Sequence, residues 1–219
     1  MKRQVLGLLA RAPIWLLAIL AGPAAAQSFD CAKASDATET AVCNSDLLSA
    51  FDTELAHVYR AALSANNGEG ASNLRTAQHQ WIAQRNACGS DAACIGKAYR
   101  ERIGSLTQTY DLFPGWAGTY DDALQGGLEI QITGTPDTGY KVDFLGAGAN
   151  YTCGPVSGTA TMTQGNLHGD FGDGMSIDAE SVGTGLFVPD TQSNEDLQSE
   201  NCGARAPELA GTFFVRSSD

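Results

Sequence analysis

Between Cys31 and Tyr110 the apolar residues recur at steps of three and four, the spacing of one face of a helix. Ser35-Asp36 can cap a short helix that runs to Cys43. Ser45-Asp46 opens a longer one, with Leu47, Leu48, Phe51, Leu55, Val58, Tyr59, Ala62 and Leu63 on a stripe expected to face a partner helix. The turn residues Asn66-Asn67-Gly68-Glu69-Gly70 break it. A third helix carries Leu74, Ala77, Gln78, Trp81, Ile82 and Arg85 and stops at Cys88-Gly89. Asp91 can cap a fourth, whose buried face would be Ile95, Tyr99, Ile103 and Leu106. Connections this short make successive helices antiparallel neighbours.

The period changes at Leu112-Phe113-Pro114-Gly115. Beyond it Leu128, Ile130 and Ile132 alternate with polar residues, as do Tyr140, Val142 and Phe144. Further strands are expected at Thr152–Val156, Thr159–Thr163, Leu167–Phe171, Met175–Ile177 and Leu186–Val188. Pro136–Gly139, Gly165-Asn166 and Asp173-Gly174 read as hairpin turns. Gly118-Thr119-Tyr120 at the start is echoed by Gly211-Thr212-Phe213 at the end. Pairing of these first and last strands would remove the free sheet edges. The fold class is therefore α+β in two modules, an antiparallel helical bundle followed by a small antiparallel β-barrel or sandwich. The expected division is 27–112 and 113–219.

The first 26 residues have the three parts of a secretory signal. Lys2 and Arg3 precede the apolar run Ile14–Ala21, and Ala24-Ala25-Ala26 offers the small side chains of a cleavage site before Gln27. A retained membrane helix needs about 20 apolar residues, more than this run supplies before Pro23. The expected location is periplasmic or secreted, with no membrane-embedded part after cleavage. The chain has 13 basic and 25 acidic side chains. The three cations Lys2, Arg3 and Arg11 fall in the leader, so the remainder is more acidic still. The acidity is uneven: residues 27–112 hold 10 acidic and 7 basic side chains, whereas 113–219 hold 15 and 3. Such a balance excludes nucleic acid as a partner and favours encounter with a basic one.

All six cysteines, Cys31, Cys43, Cys88, Cys94, Cys153 and Cys202, lie after the leader. An even count in an exported chain reads as three disulfides. Zinc ligation has neither a Cys-x2-Cys pair nor a histidine cluster to support it.

Residues 29–110 read "FDCAKASDATETAVC", "SDLLSAFDTELAHVYRAAL", "LRTAQHQWIAQRNAC" and "CIGKAYRERIGSL" in succession. This segment resembles the LprI-like family, named for a lysozyme inhibitor. The resemblance rests on Cys31, Cys43, Tyr59, Gln78, Trp81, Arg85, Cys88, Cys94, Tyr99 and Arg102 in type and order, with Asn86 standing where an acidic residue is common. Trp81 and Tyr99 are large enough to fill a helical hairpin, and Arg85 and Arg102 are expected to pair with Asp52 and Glu54 across helices. Cys31–Cys43 and Cys88–Cys94 are the favoured pairings, each near in sequence. Crossed links remain open where antiparallel helices bring Cys43 near Cys88. Cys153–Cys202 would then close a long loop, a constraint of roughly 3–5 kcal/mol in the chain-entropy model.

The sequence holds no Gly-x-Ser-x-Gly elbow, zinc helix or phosphate loop. Nothing groups His57, His79 and His168, and oxidised cysteines leave no thiol nucleophile. Asp170, Asp173 and Asp178 lack the ligand spacing of a calcium loop and read as a Gly-rich turn. No catalytic residue, metal or cofactor is expected. The expected function is an exported, non-enzymatic binding protein, with lysozyme inhibition implied by the resemblance and a cationic lysozyme-type protein as partner. The alternative is an envelope small-ligand or protein-binding module that uses the β-half, where a barrel mouth would supply the pocket, with the helical half as accessory. Mass mapping without reductant is expected to find no alkylatable thiol in the native protein. Several alkylated cysteines would overturn the crosslink assignment.

Overall fold

The computed structural model describes residues 28–217 except Gln125 and Ala204, so the expected leader lies outside the described residues. A 3-10 turn at Cys31–Lys33 precedes four helices, α1 (Ala37–Cys43), α2 (Asp46–Ser64), α3 (Gly68–Asn86) and α4 (Ala92–Thr109). Their starts follow from capping chemistry. Asp36 accepts from the Glu39 amide, Ser45 from that of Leu48, and Asp91 from those of Ala93 and Cys94. The break expected over 66–70 is narrower. Gly68 takes a positive φ of 51°, so the chain reverses within two residues of Ala65 and α3 begins at once.

Eight strands follow, β1 (Gly118–Asp122), β2 (Leu128–Thr135), β3 (Gly139–Gly148), β4 (Tyr151–Thr163), β5 (Asn166–Gly172), β6 (Met175–Val182), β7 (Gly185–Val188) and β8 (Thr212–Arg216). Each pairs antiparallel with the next, and β1 pairs with β8 through Tyr120↔Arg216, Asp121↔Val215 and Asp122↔Phe214. The sheet is thus a closed barrel, and the pairing of first and last strands expected from the sequence closes it. Gln164-Gly165 and Asp173-Gly174 each take two successive positive φ values, the geometry of tight hairpin turns. The two runs expected at 152–156 and 159–163 are one strand, β4. Between them Gly158 lies where a Cβ would overlap the Asp170 carbonyl, so this glycine permits a close strand approach instead of a turn.

One helix was not expected. α5 (Gln192–Asn201) sits between β7 and β8 and packs on β6 and β4. Its buried Asn194 accepts from the Asp178 amide at 2.8 Å and donates to the Asp178 and Pro189 carbonyls. Leu197 enters the barrel core, and Cys202 just beyond the helix is bonded to Cys153 of β4. Alternate residues of the strands, among them Tyr120, Leu128, Ile130, Ile132, Val142 and Phe144, fill the barrel interior. The filled interior confines any pocket of the barrel to its rim.

The second core joins the two halves. Phe51 of α2 meets Phe187 of β7 at 5.6 Å and Phe213 of β8 at 5.3 Å between ring centroids. Val182, Phe187 and Phe213 all belong to the same buried cluster as the helices. The α2 stripe thus faces the barrel as well as a partner helix. Burial of each phenylalanine is worth about 1.5–3 kcal/mol. The Arg100–Glu180 pair nearby, at 3.7 Å and partly solvated, belongs to a class worth about 0–1 kcal/mol. The aromatic seam outweighs the ion pair.

Beside the seam the buried Glu54 carboxylate accepts from Thr184 N–H at 2.6 Å and Thr184 Oγ at 3.1 Å. Gly183, at φ 67°, lies so close that a Cβ would overlap Glu54. Burial holds the Glu54 pKa above its ordinary 4.5, against the opposing Thr184 amide. The folded protein therefore holds this proton more tightly than the unfolded chain. Its contribution to stability is complete below pH 4.5 and is lost as pH rises through the folded pKa. Glu54→Gln keeps an acceptor for Thr184 without the charge. Urea unfolding from pH 4 to 8 is expected to show a smaller loss of stability with rising pH in this variant than in the wild type. Identical slopes would refute the assignment.

Candidate functional site

The residues that carry the family resemblance assemble from three helices into two clusters. In the first, α2 supplies Asp52, α3 supplies Trp81 and Arg85, and α4 supplies Tyr99. Asp52, Arg85 and Tyr99 are 2%, 5% and 0% exposed, so every polar atom there needs a partner. Arg85 Nη1 donates to Tyr99 OH at 2.8 Å, and Tyr99 OH donates to Asp52 Oδ1 at 2.9 Å. The same carboxylate accepts from the Ser28 amide at 2.6 Å and the Ser28 hydroxyl at 2.9 Å. Arg85 continues the chain through Nε and Nη2 to Asn86 Oδ1, and Asn86 Nδ2 donates to Asp36 Oδ2 at 2.7 Å. The guanidinium lies over the Trp81 and Tyr99 rings at 5.4 and 5.5 Å. Burial, with the Asp52 charge second, pushes the Tyr99 hydroxyl well above its ordinary pKa.

The direct ion pairs expected of Arg85 and Arg102 do not form among the described residues. The Tyr99 hydroxyl stands between Arg85 and Asp52 and relays the charge across. Glu54 is taken by Thr184. Arg102 is in the second cluster, where its Nε donates to Gln78 Oε1 at 3.0 Å and its Nη2 is buried without a partner. Burial lowers the Arg102 pKa, offset by Tyr110 and Tyr59. Tyr59, Gln78 and Arg102 are all half-buried.

The structure also explains Asn86. Its amide donates to a carboxylate on one side and accepts from a guanidinium on the other, which an acidic residue cannot do beside Asp36. Ser28 and Thr38 were not singled out from the sequence. Thr38 Oγ1 donates to the Gly89 carbonyl at 2.8 Å and so ties α1 to the end of α3. The three disulfides join Cys31–Cys43, Cys88–Cys94 and Cys153–Cys202. Crossed links between the helical pairs are absent.

His57 and His79 are exposed on separate helices, and His168 Nδ1 meets Asp178 Oδ1 on the barrel surface at 2.8 Å. Ser193 Oγ donates to the other oxygen of Asp178. Because the carboxylate sits between serine and histidine, this set cannot pass a proton from serine to imidazole as a nucleophilic triad does. The described residues hold no group of three metal-ligating side chains, and none of their helices is long and apolar enough to cross a membrane.

The buried relay makes a specific demand on stability. Tyr99→Phe leaves the ring in place and removes both hydrogen bonds, so Arg85 and Asp52 face each other unbridged. A loss of about 1–3 kcal/mol is expected in the free energy of urea unfolding, with unchanged far-ultraviolet circular dichroism. A loss below the error of such a titration would show that the relay contributes nothing.

Comparison with known proteins places this cluster. Residues 31–119 match the family model described as "Lysozyme inhibitor LprI". "Lipoprotein LprI" of Mycobacterium bovis and of Mycobacterium tuberculosis are each 32% identical over 87 residues, 38% of this chain and 43% of the relative. The chain thus matches less than half the length of these curated relatives. No solved structure matches. The matched stretch, which holds the helices that carry Trp81, Arg85 and Tyr99 and reaches the start of β1, is similar to the LprI family.

Proposed function

We propose that this is an exported, non-enzymatic binding protein that inhibits lysozyme-type muramidases through its helical half, residues 27–112. The match of residues 31–119 to the lysozyme inhibitor family carries the reading. Export is supported by the leader pattern in residues 1–26 and by three bonded cysteine pairs, which persist in oxidising compartments. Cys31, the first cysteine after the leader, is engaged with Cys43, so its sulfur is committed to a crosslink.

Charge supplies the attraction and geometry limits the contact. The chain carries a net charge of −12 and would steer a cationic lysozyme toward it. A lysozyme cleft holds catalytic carboxylates, so the group that enters it must be cationic or neutral. The inner faces of α2 and α4 pack on each other and, in part, on the barrel. The outward side of α3 is free, and there Arg75, His79, Gln80 and Gln84 are exposed. These side chains carry no negative charge, as entry into an acidic cleft would require.

The test is lysis of bacterial cell walls by hen lysozyme, followed by turbidity, with the purified full-length protein over a salt series. Inhibition is expected at micromolar protein in low salt. It should weaken as the screening length falls from about 10 Å at 0.1 M to about 3 Å at 1 M. Arg75→Glu is expected to weaken it further. The absence of inhibition in low salt would sink the reading.

A further inference from the structure

Where the helical half meets the barrel lies an open cleft of about 810 Å³. The end of α4 contributes Gln108, the connecting segment Phe113 and Trp116, the β4–β5 turn Gln164, the start of β5 Asn166, and β6 Glu180. The volume is within the range of small-molecule sites, about 300–1,000 Å³.

The aromatic part is a fixed platform. Phe113 and Trp116 are half-exposed and meet edge to face at 5.2 Å, while part of Trp116 packs on the barrel core. The backbone beneath them is clamped. Arg216 donates to the Gly115 carbonyl at 2.8 Å and to the Ala117 carbonyl, and Tyr120 OH donates to the Trp116 carbonyl at 2.8 Å. Three successive carbonyls held in this way leave the platform organised before any ligand arrives.

The polar part is uncommitted. The side-chain amides of Gln108, Gln164 and Asn166 are exposed and hydrogen-bond to none of the described residues. Each amide offers both donors and acceptors, which suits a ligand whose groups also do both. No cation lines the cleft. Its carboxylates are Asp111 and Glu180, and Glu180 already faces Arg100 at 3.7 Å. An anion is repelled here, and a multiply charged cation finds one free carboxylate.

A rigid aromatic face beside a rim of free amides, with little net charge to offer, matches a ring that is apolar on its faces and hydroxylated at its edges. We infer that this cleft binds a neutral oligosaccharide, with a sugar ring stacked on Trp116 or Phe113 and its hydroxyls on the three amides. This site is separate from the outward side of α3 and does not depend on lysozyme inhibition.

Binding is tested with the full-length protein and two probes, triacetylchitotriose and cellotriose, by calorimetry and tryptophan emission. Of the two described tryptophans Trp81 is buried in the helical core, so a change in emission reports Trp116. Saturable heat and a blue shift are expected with at least one sugar. Gln108→Ala/Asn166→Ala, which alters only exposed side chains, is expected to weaken binding about tenfold, near 1.4 kcal/mol. Phe113→Ala should weaken it independently. No heat or shift at millimolar sugar would overturn the inference, as would binding unchanged by both variants. A response to trilysine but to neither sugar would overturn it in favour of a cationic peptide. A protein that inhibits lysozyme but binds neither sugar would sink this inference alone.

Discussion

The aromatic contact of Phe51 with Phe187 and Phe213 is the constraint on which the architecture rests. It makes the helices and the barrel one buried surface, although each also has a core of its own. The covered strands must be apolar on both faces. Leu186, Val188 and Phe214 point into the barrel while Phe187 and Phe213 point at the helices. Glu54 then follows from the seam. A carboxylate at its edge has lost water, and the Thr184 amide and hydroxyl replace it. A glycine at position 183 is what allows that approach.

The relay from Ser28 through Asp52, Tyr99 and Arg85 to Asn86 and Asp36 works by a different principle. Buried charges contribute little net stability unless their partners are complete. Here each strong group is matched, and the geometry fixes three helices relative to one another. Trp81 adds bulk, with its indole N–H donating to the Ala98 carbonyl. The family motif therefore reads as a scaffold that sets the shape of an outer surface.

Much of this was legible in the sequence because periodicity and capping act locally. The four helices, most hairpin turns and the closing strand pair follow from spacing, from Asp36, Ser45 and Asp91, and from paired glycine signals. α5 was missed because Gln192–Asn201 is polar throughout except for Leu197, so no periodic stripe marks it. Its helix is held by Asn194 and by attachment at Cys202, both tertiary. The seam was missed for a readable reason. "GLFV" at 185–188 and "TFFV" at 212–215 do not alternate, and an unbroken apolar run marks a strand covered on both faces. The direct ion pairs expected of Arg85 and Arg102 failed because spacing along helices does not reveal what stands between two side chains. The cleft was invisible for the same reason, since its residues come from four separate segments.

Closure of the barrel also orders events in time. Tyr120 pairs with Arg216, some hundred residues away along the chain, whereas the contacts of the helices and the first hairpins are local. Local contacts form early and distant strand pairing is slow. By that rule the contact of Phe51 with Phe213, far apart along the chain, would be among the later ones to form. A chain whose β8 had not docked would carry an open apolar face and two unpaired strand edges, a hazard for association. Residues 113–219, which form that barrel, also hold most of the negative charge. Like charge of that density disfavours association between copies of the chain.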